Sequence, residues 1–168
     1  MKKKLLFVLI ITLILQLMAC SHKDSRIESA KNISNEYLSK LYTIDDYTQL
    51  DYNSSEKLDE LYKEYVQKFQ NLVTEDMIEL IKANREITLI VKTAIEKEIN
   101  IEVIGIEFNQ INEDEDKIFL NFELSLKLIY SDGTSETVIK NGALQLIDND
   151  GLKINHCKGI NYPFEILD

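Results

Sequence analysis

The spacing of apolar residues changes once along the chain, from a helical period to a period of two. Ile27, Ala30, Ile33, Tyr37, Leu38 and Leu41 recur at three- and four-residue steps, which predicts a helix over 26–42. Ser25-x-x-Glu28 supplies a capping box at its start. Asp45-Asp46-Tyr47 and Asp51-Tyr52-Asn53-Ser54 interrupt the pattern and begin the next element. Leu58, Leu61, Tyr62, Tyr65, Val66, Phe69, Leu72 and Val73 form the clearest helical stripe, with Lys57, Asp59, Glu60, Lys63, Glu64 and Lys68 on the other face. Thr74 is the expected cap of a third helix that turns Met77, Ile78 and Ile81 inward. Residues 85–97 fit two periods. The β-branched run Ile87-Thr88-Leu89-Ile90-Val91 favours a strand, whereas Ile87, Ile90, Val91, Ala94 and Ile95 share a helix face, and the helix is preferred.

Beyond residue 98 the pattern alternates. Ile99, Ile101 and Val103 share one phase, and Ile104, Ile106 and Phe108 the other, so a β-bulge is expected near Gly105. Asn112 to Asp116 is an acidic turn. Ile118, Leu120, Phe122, Leu124, Leu126, Leu128 and Tyr130 then alternate without a break, which demands a strand with one buried face. Asp132-Gly133 makes a hairpin turn, Thr134 to Ile147 returns with a second bulge expected at Asn141-Gly142, and Asp148-Asn149-Asp150-Gly151 turns again into a last strand, Leu152 to Lys158. The expected fold is α+β, with N-terminal helices packed on the concave face of a strongly curved antiparallel sheet.

Helices followed by a bent meander resemble the NTF2-like cone fold. The stretch Gly142-Ala143-Leu144-Gln145-Leu146-Ile147-Asp148-Asn149-Asp150-Gly151-Leu152-Lys153-Ile154 carries most of the resemblance, although Leu152 stands where members often carry an aromatic residue after the glycine turn. Tyr42-Thr43-Ile44-Asp45-Asp46-Tyr47 and the segment from Thr74-Glu75-Asp76 to Ala83-Asn84-Arg85 are similar to small lipoproteins of Gram-positive bacteria that share this fold. The resemblance covers residues 26–158. It implies a fold and a location and no activity, because one fold hosts many functions.

The first residues carry a separate signal. Lys2, Lys3 and Lys4 precede an apolar run from Leu5 to Leu15 that only Thr12 interrupts. Leu5 to Ala19 is short for a membrane span, which takes about 20 residues, and Gln16 breaks it. Leu17-Met18-Ala19-Cys20 resembles the lipobox of bacterial lipoproteins, with Met18 where a smaller residue is usual. That resemblance implies lipidation at Cys20. The expected organisation is a signal peptide over 1–19, a lipidated tether over 20–25 and a single domain over 26–168, held at the outer face of the cytoplasmic membrane. An uncleaved signal anchor is the alternative and leaves the domain on the same side.

Charge narrows the partners. Three of the 19 basic residues precede Cys20, leaving 16 against 29 acidic ones, a net charge of about −13. Nucleic acid is not expected as a partner, because its binding uses Lys and Arg to neutralise phosphates. The same charge disfavours lying flat on an anionic bilayer, so membrane contact is assigned to the N-terminal lipid. Cys157 is the only cysteine besides Cys20, and a small buried thiol is its simplest reading.

No motif specifies chemistry. Asp148-Asn149-Asp150-Gly151 begins like a calcium loop, but Leu152, Lys153 and Gly159 occupy positions that need a ligand, a glycine and an acid. His156 and Cys157 are adjacent on a strand and point to opposite faces, so they cannot share a metal. No cofactor or metal site is expected. His156 continues the parity of Leu152 and Ile154, which places it on their face as a candidate pocket residue with Tyr37, Tyr42 and Tyr65. Three functions stay open: a tethered non-catalytic module binding an envelope protein or small ligand, a cone-pocket isomerase or dehydratase using His156, and a structural subunit of an envelope secretion or conjugation assembly. The first is preferred because no nucleophile–base pair is visible.

Overall fold

Polar caps set the starts of two of the helices and of a short 3-10 turn. The computed structural model describes residues 25–51 and 54–159, so the predicted signal segment, Cys20 and the tether up to residue 24 lie outside the described residues. Helix α1 occupies residues 25–42 and includes Ser25, which was expected just before it. Asp46 caps a short 3-10 turn, Tyr47–Gln49, by accepting from the Thr48 amide at 3.0 Å. Ser54 accepts from the Lys57 amide at 3.2 Å and opens α2, Ser55–Phe69. Thr74 does the same for the Met77 amide at 3.2 Å and opens α3, Glu75–Asn84. Arg85, at φ 57, turns the chain directly into α4, Glu86–Glu96, so the segment with two competing periods is helical.

Four strands follow: β1 (Ile99–Asp114), β2 (Lys117–Tyr130), β3 (Ser135–Asp148) and β4 (Leu152–Lys158). They form an antiparallel meander in the order β1-β2-β3-β4. On β2, Ile118, Leu120, Phe122, Leu124, Leu126 and Leu128 are at most 3% exposed, so every second residue is core, as the alternation required. The fold is α+β, with the N-terminal helices packed on the buried face of a curved open sheet.

Burial ranks the helices differently from their stripes. Helix α1 buries Ala30, Ser34, Tyr37, Leu38, Leu41 and Tyr42, whereas α2 buries only Tyr65 and Phe69. Leu58 and Leu61 of α2, expected against the sheet, are half-buried. The inner helix is α1, whose buried face includes the small Ser34. Connecting segments then cover the sheet edges. Ile44 and Ile101 exchange two backbone hydrogen bonds of 2.9 Å at the start of β1. On β4, the Ile154 amide donates to the Leu72 carbonyl and the Thr74 amide to the Ile154 carbonyl, both at 2.9 Å. Each contact satisfies edge groups that would otherwise invite pairing with another chain.

Register irregularities bend the sheet. The expected shift near Gly105 is present, between Val103 and Gly105, and leaves Ile104 49% exposed. A second shift on β1, between Phe108 and Gln110, was not expected. No shift occurs at Asn141-Gly142, where the β2–β3 register is continuous. Gly142 serves close approach instead: a Cβ there would lie 2.7 Å from the Lys158 carbonyl oxygen and strike the Phe122 ring.

Candidate functional site

Three helices meet around a cleft that contains no strand residue. The end of α1 and the residues after it supply Lys40, Leu41, Thr43 and Ile44. Helix α2 supplies Leu61, Glu64, Tyr65, Lys68 and Phe69, which fall on one face because they lie three and four residues apart. Ile87, Ile90 and Val91 of α4 form the facing wall by the same spacing, and Leu50 completes it. The cleft measures about 180 Å³. A hydrogen bond of 3.2 Å between the Tyr62 and Thr88 hydroxyls ties α2 to α4 beside it.

Aromatic packing fixes its floor. Tyr65 stacks on Phe69 with centroids 4.2 Å apart and 27° between planes. Tyr37 meets Phe69 edge-on, at 5.4 Å and 72°. Both arrangements suit the ring quadrupole. The apolar walls thus rest on the core, while the charges lie at the mouth.

Lys68 has an unusual environment at that mouth. Its ammonium donates to the Lys40 carbonyl at 2.7 Å and lies 5.7 Å from the Phe69 ring centroid. Loss of surrounding water holds its pKa below the ordinary lysine value, and Lys40 adds repulsion, while Asp45 and Glu64 act in the opposite direction. Lys40 itself pairs with Glu36 at 2.5 Å.

Of the residues singled out in the sequence, Tyr65 alone lines this cleft. Tyr37 and Tyr42 are core residues, 0% and 1% exposed. Cys20 lies outside the described residues. His156 is not on the buried face with Ile154. Gln145 pairs with His156 and Leu146 with Ile154, so Asn155 is an extra residue that reverses the phase of the strand. His156 is consequently exposed, and Cys157 is buried opposite Leu144. Asn155 earns its place through Thr74, whose hydroxyl donates to it at 3.1 Å as the chain enters α3. The signal for this bulge was present: two polar residues, Asn155 and His156, separate buried Ile154 from buried Cys157.

The sequence pattern does not mark Lys68 or the α4 wall as parts of a cleft. Lys68 is exposed, as its charge predicts, and only the approach of the Lys40 carbonyl reveals its position at the cleft. The residues of α4 had been identified as apolar, but nothing local says that they leave a gap against α2.

No protein-family model matches the chain. No curated protein matches it either. Among solved structures, it is similar to the intermembrane-space region of the chloroplast protein ARC6, with a TM-score of 0.44 and 10% identity over 78% of this chain and 93% of that one. It is also similar to a periplasmic fragment of TraM, with a TM-score of 0.43 and 11% identity over 78% of this chain and 94% of that one.

Proposed function

We propose that this protein is a membrane-tethered extracytoplasmic lipoprotein whose domain is a non-catalytic binding module. The lipid is carried by Cys20 and holds the domain at the outer face of the cytoplasmic membrane. The order Lys2 to Lys4, apolar run, Leu17-Met18-Ala19-Cys20 supports the tether. The helices-then-meander order supports the NTF2-like part of the reading. The observation that carries binding is the cleft, whose walls are apolar and whose charges stand at the mouth. His156, on which an enzymatic reading depends, is exposed on β4, and no residue of that strand lines the cleft.

A thermal-shift screen of small apolar compounds tests the binding reading. Wild type should gain stability from a subset of them, and Leu61→Trp, which fills the cleft, should lose that gain. A screen in which no compound stabilises wild type, or in which Leu61→Trp responds equally, contradicts it.

A second reading, a subunit of an envelope assembly, draws on two isoleucines. Ile139 pairs with Ser125, and Ser125 pairs with Gly105, the neighbour of Ile104. Ile104 and Ile139 are 49% and 51% exposed, a small apolar area on the sheet that half-buried Phe119 and Ile129 extend little. Ile104→Asp combined with Ile139→Asp would reduce the size of any such assembly in native gels.

A further inference from the structure

The cleft joins apolar walls to a cation that makes no salt bridge among the described residues. Lys40 has Glu36 at 2.5 Å. Among the described residues, Lys68 contacts the Lys40 carbonyl at 2.7 Å and the Phe69 ring, while Asp45 and Glu64 act on it at longer range. An ammonium has three donors, and Lys68 is exposed, so two remain open to solvent or to another acceptor. The cleft's size limits what accompanies that acceptor. Apolar cavities of about 150 Å³ accept benzene, whereas sites for drug-sized ligands run from about 300 Å³ upward. At about 180 Å³, this one fits a single small ring or a short chain.

We propose that the cleft binds a small apolar monocarboxylate, with its ring or chain between Leu61, Ile87 and Ile90 and its carboxylate on the Lys68 ammonium. Glu64 at the same mouth repels an anion, so the Lys68 ammonium must outweigh one like charge to hold a carboxylate. The charge-assisted contact orients the ligand, and burial of the ring supplies most of the affinity. This inference rests on the binding-module reading and names its ligand class.

Phenylacetate is a suitable probe, with phenylacetamide as its neutral counterpart and acetate as its polar part. Full-length protein in phosphatidylcholine nanodiscs would be titrated by saturation-transfer NMR, with empty discs subtracted. Phenylacetate should bind about tenfold or more tightly than either control. Lys68→Gln should weaken phenylacetate about tenfold and leave phenylacetamide unchanged, and Glu64→Gln should tighten phenylacetate. Circular dichroism would verify that both variants are folded. Absence of phenylacetate binding, equal binding of phenylacetate and phenylacetamide, or an unchanged affinity in Lys68→Gln would overturn the proposal. If other apolar compounds bind in a Leu61-dependent way while phenylacetate does not, this inference fails and the binding module stands. If no compound binds, both fail.

Discussion

Arg26 donates from Nη1 to Glu113 Oε1 at 2.7 Å, joining the first turn of α1 to the far end of β1. The same nitrogen reaches the Glu115 carbonyl at 2.9 Å, and Nε lies 3.4 Å from Asp148. One side chain thus fastens the inner helix to the β1–β2 and β3–β4 turns, two of the three hairpins of the sheet. The pair is mostly shielded, with side chains 19% and 14% exposed, so it should withstand salt better than a surface pair. Arg26→Ala should cost about 1–3 kcal/mol in urea denaturation. A cost below about 0.5 kcal/mol would show that α1 is held by its apolar face alone.

The core of β2 provides a second test. Leu124 is 0% exposed and lies centrally in the alternating run. Leu124→Ala leaves a cavity and should cost about 2–5 kcal/mol. Ser125→Ala, one residue along and half-buried, should have an effect of less than about 1 kcal/mol. Equal losses at the two positions would contradict the inward and outward assignment.

Gly142 is a test of close packing. Gly142→Ala forces a methyl group against the Phe122 ring and the Lys158 carbonyl and should cost about 1–3 kcal/mol. Gly105→Ala is the control, since a Cβ there lies 3.7 Å from the Ser125 Cβ, an ordinary contact. Similar stabilities for the two variants would remove the steric role assigned to Gly142.

The fold was legible where burial imposed a long period. Seven alternations from Ile118 to Tyr130 left one face for the core, and Ser54 and Thr74 marked helix starts by their own side-chain chemistry. The order of burial among helices was not legible, because a stripe records amphipathicity and not which neighbour covers it. Helix α1 buries Ser34, a polar residue that no apolar stripe would mark as core. Bulges were legible only in part. Val103-Ile104 showed as two apolar residues in succession, whereas Asn155 acts through its contact with Thr74, 81 residues away. The cleft shares that difficulty, since α1, α2 and α4 each appear complete when read alone.

Alkaline pH should reveal the setting of Lys68. Its native pKa is lowered by loss of water and by Lys40, so between that value and the ordinary lysine range the unfolded chain binds more protons than the native one. Stability therefore rises with pH across that window, and the penalty for the charged ammonium is fully present below it. In paired urea titrations from neutral pH to the lysine range, wild type should gain on Lys68→Gln. Parallel curves would show that the ammonium is as well hydrated as any surface lysine.

The proposed location and tether both rest on a lipid at Cys20, so the fate of a Cys20→Ser protein is the most direct measurement. Cells expressing wild type or Cys20→Ser at equal levels would be separated into membrane, cytoplasmic and external fractions and probed for the domain. Wild type should remain with the membrane, and Cys20→Ser should appear in the external fraction. A Cys20→Ser protein that stays with the membrane as fully as wild type would contradict the lipid tether and assign anchoring to the apolar segment itself.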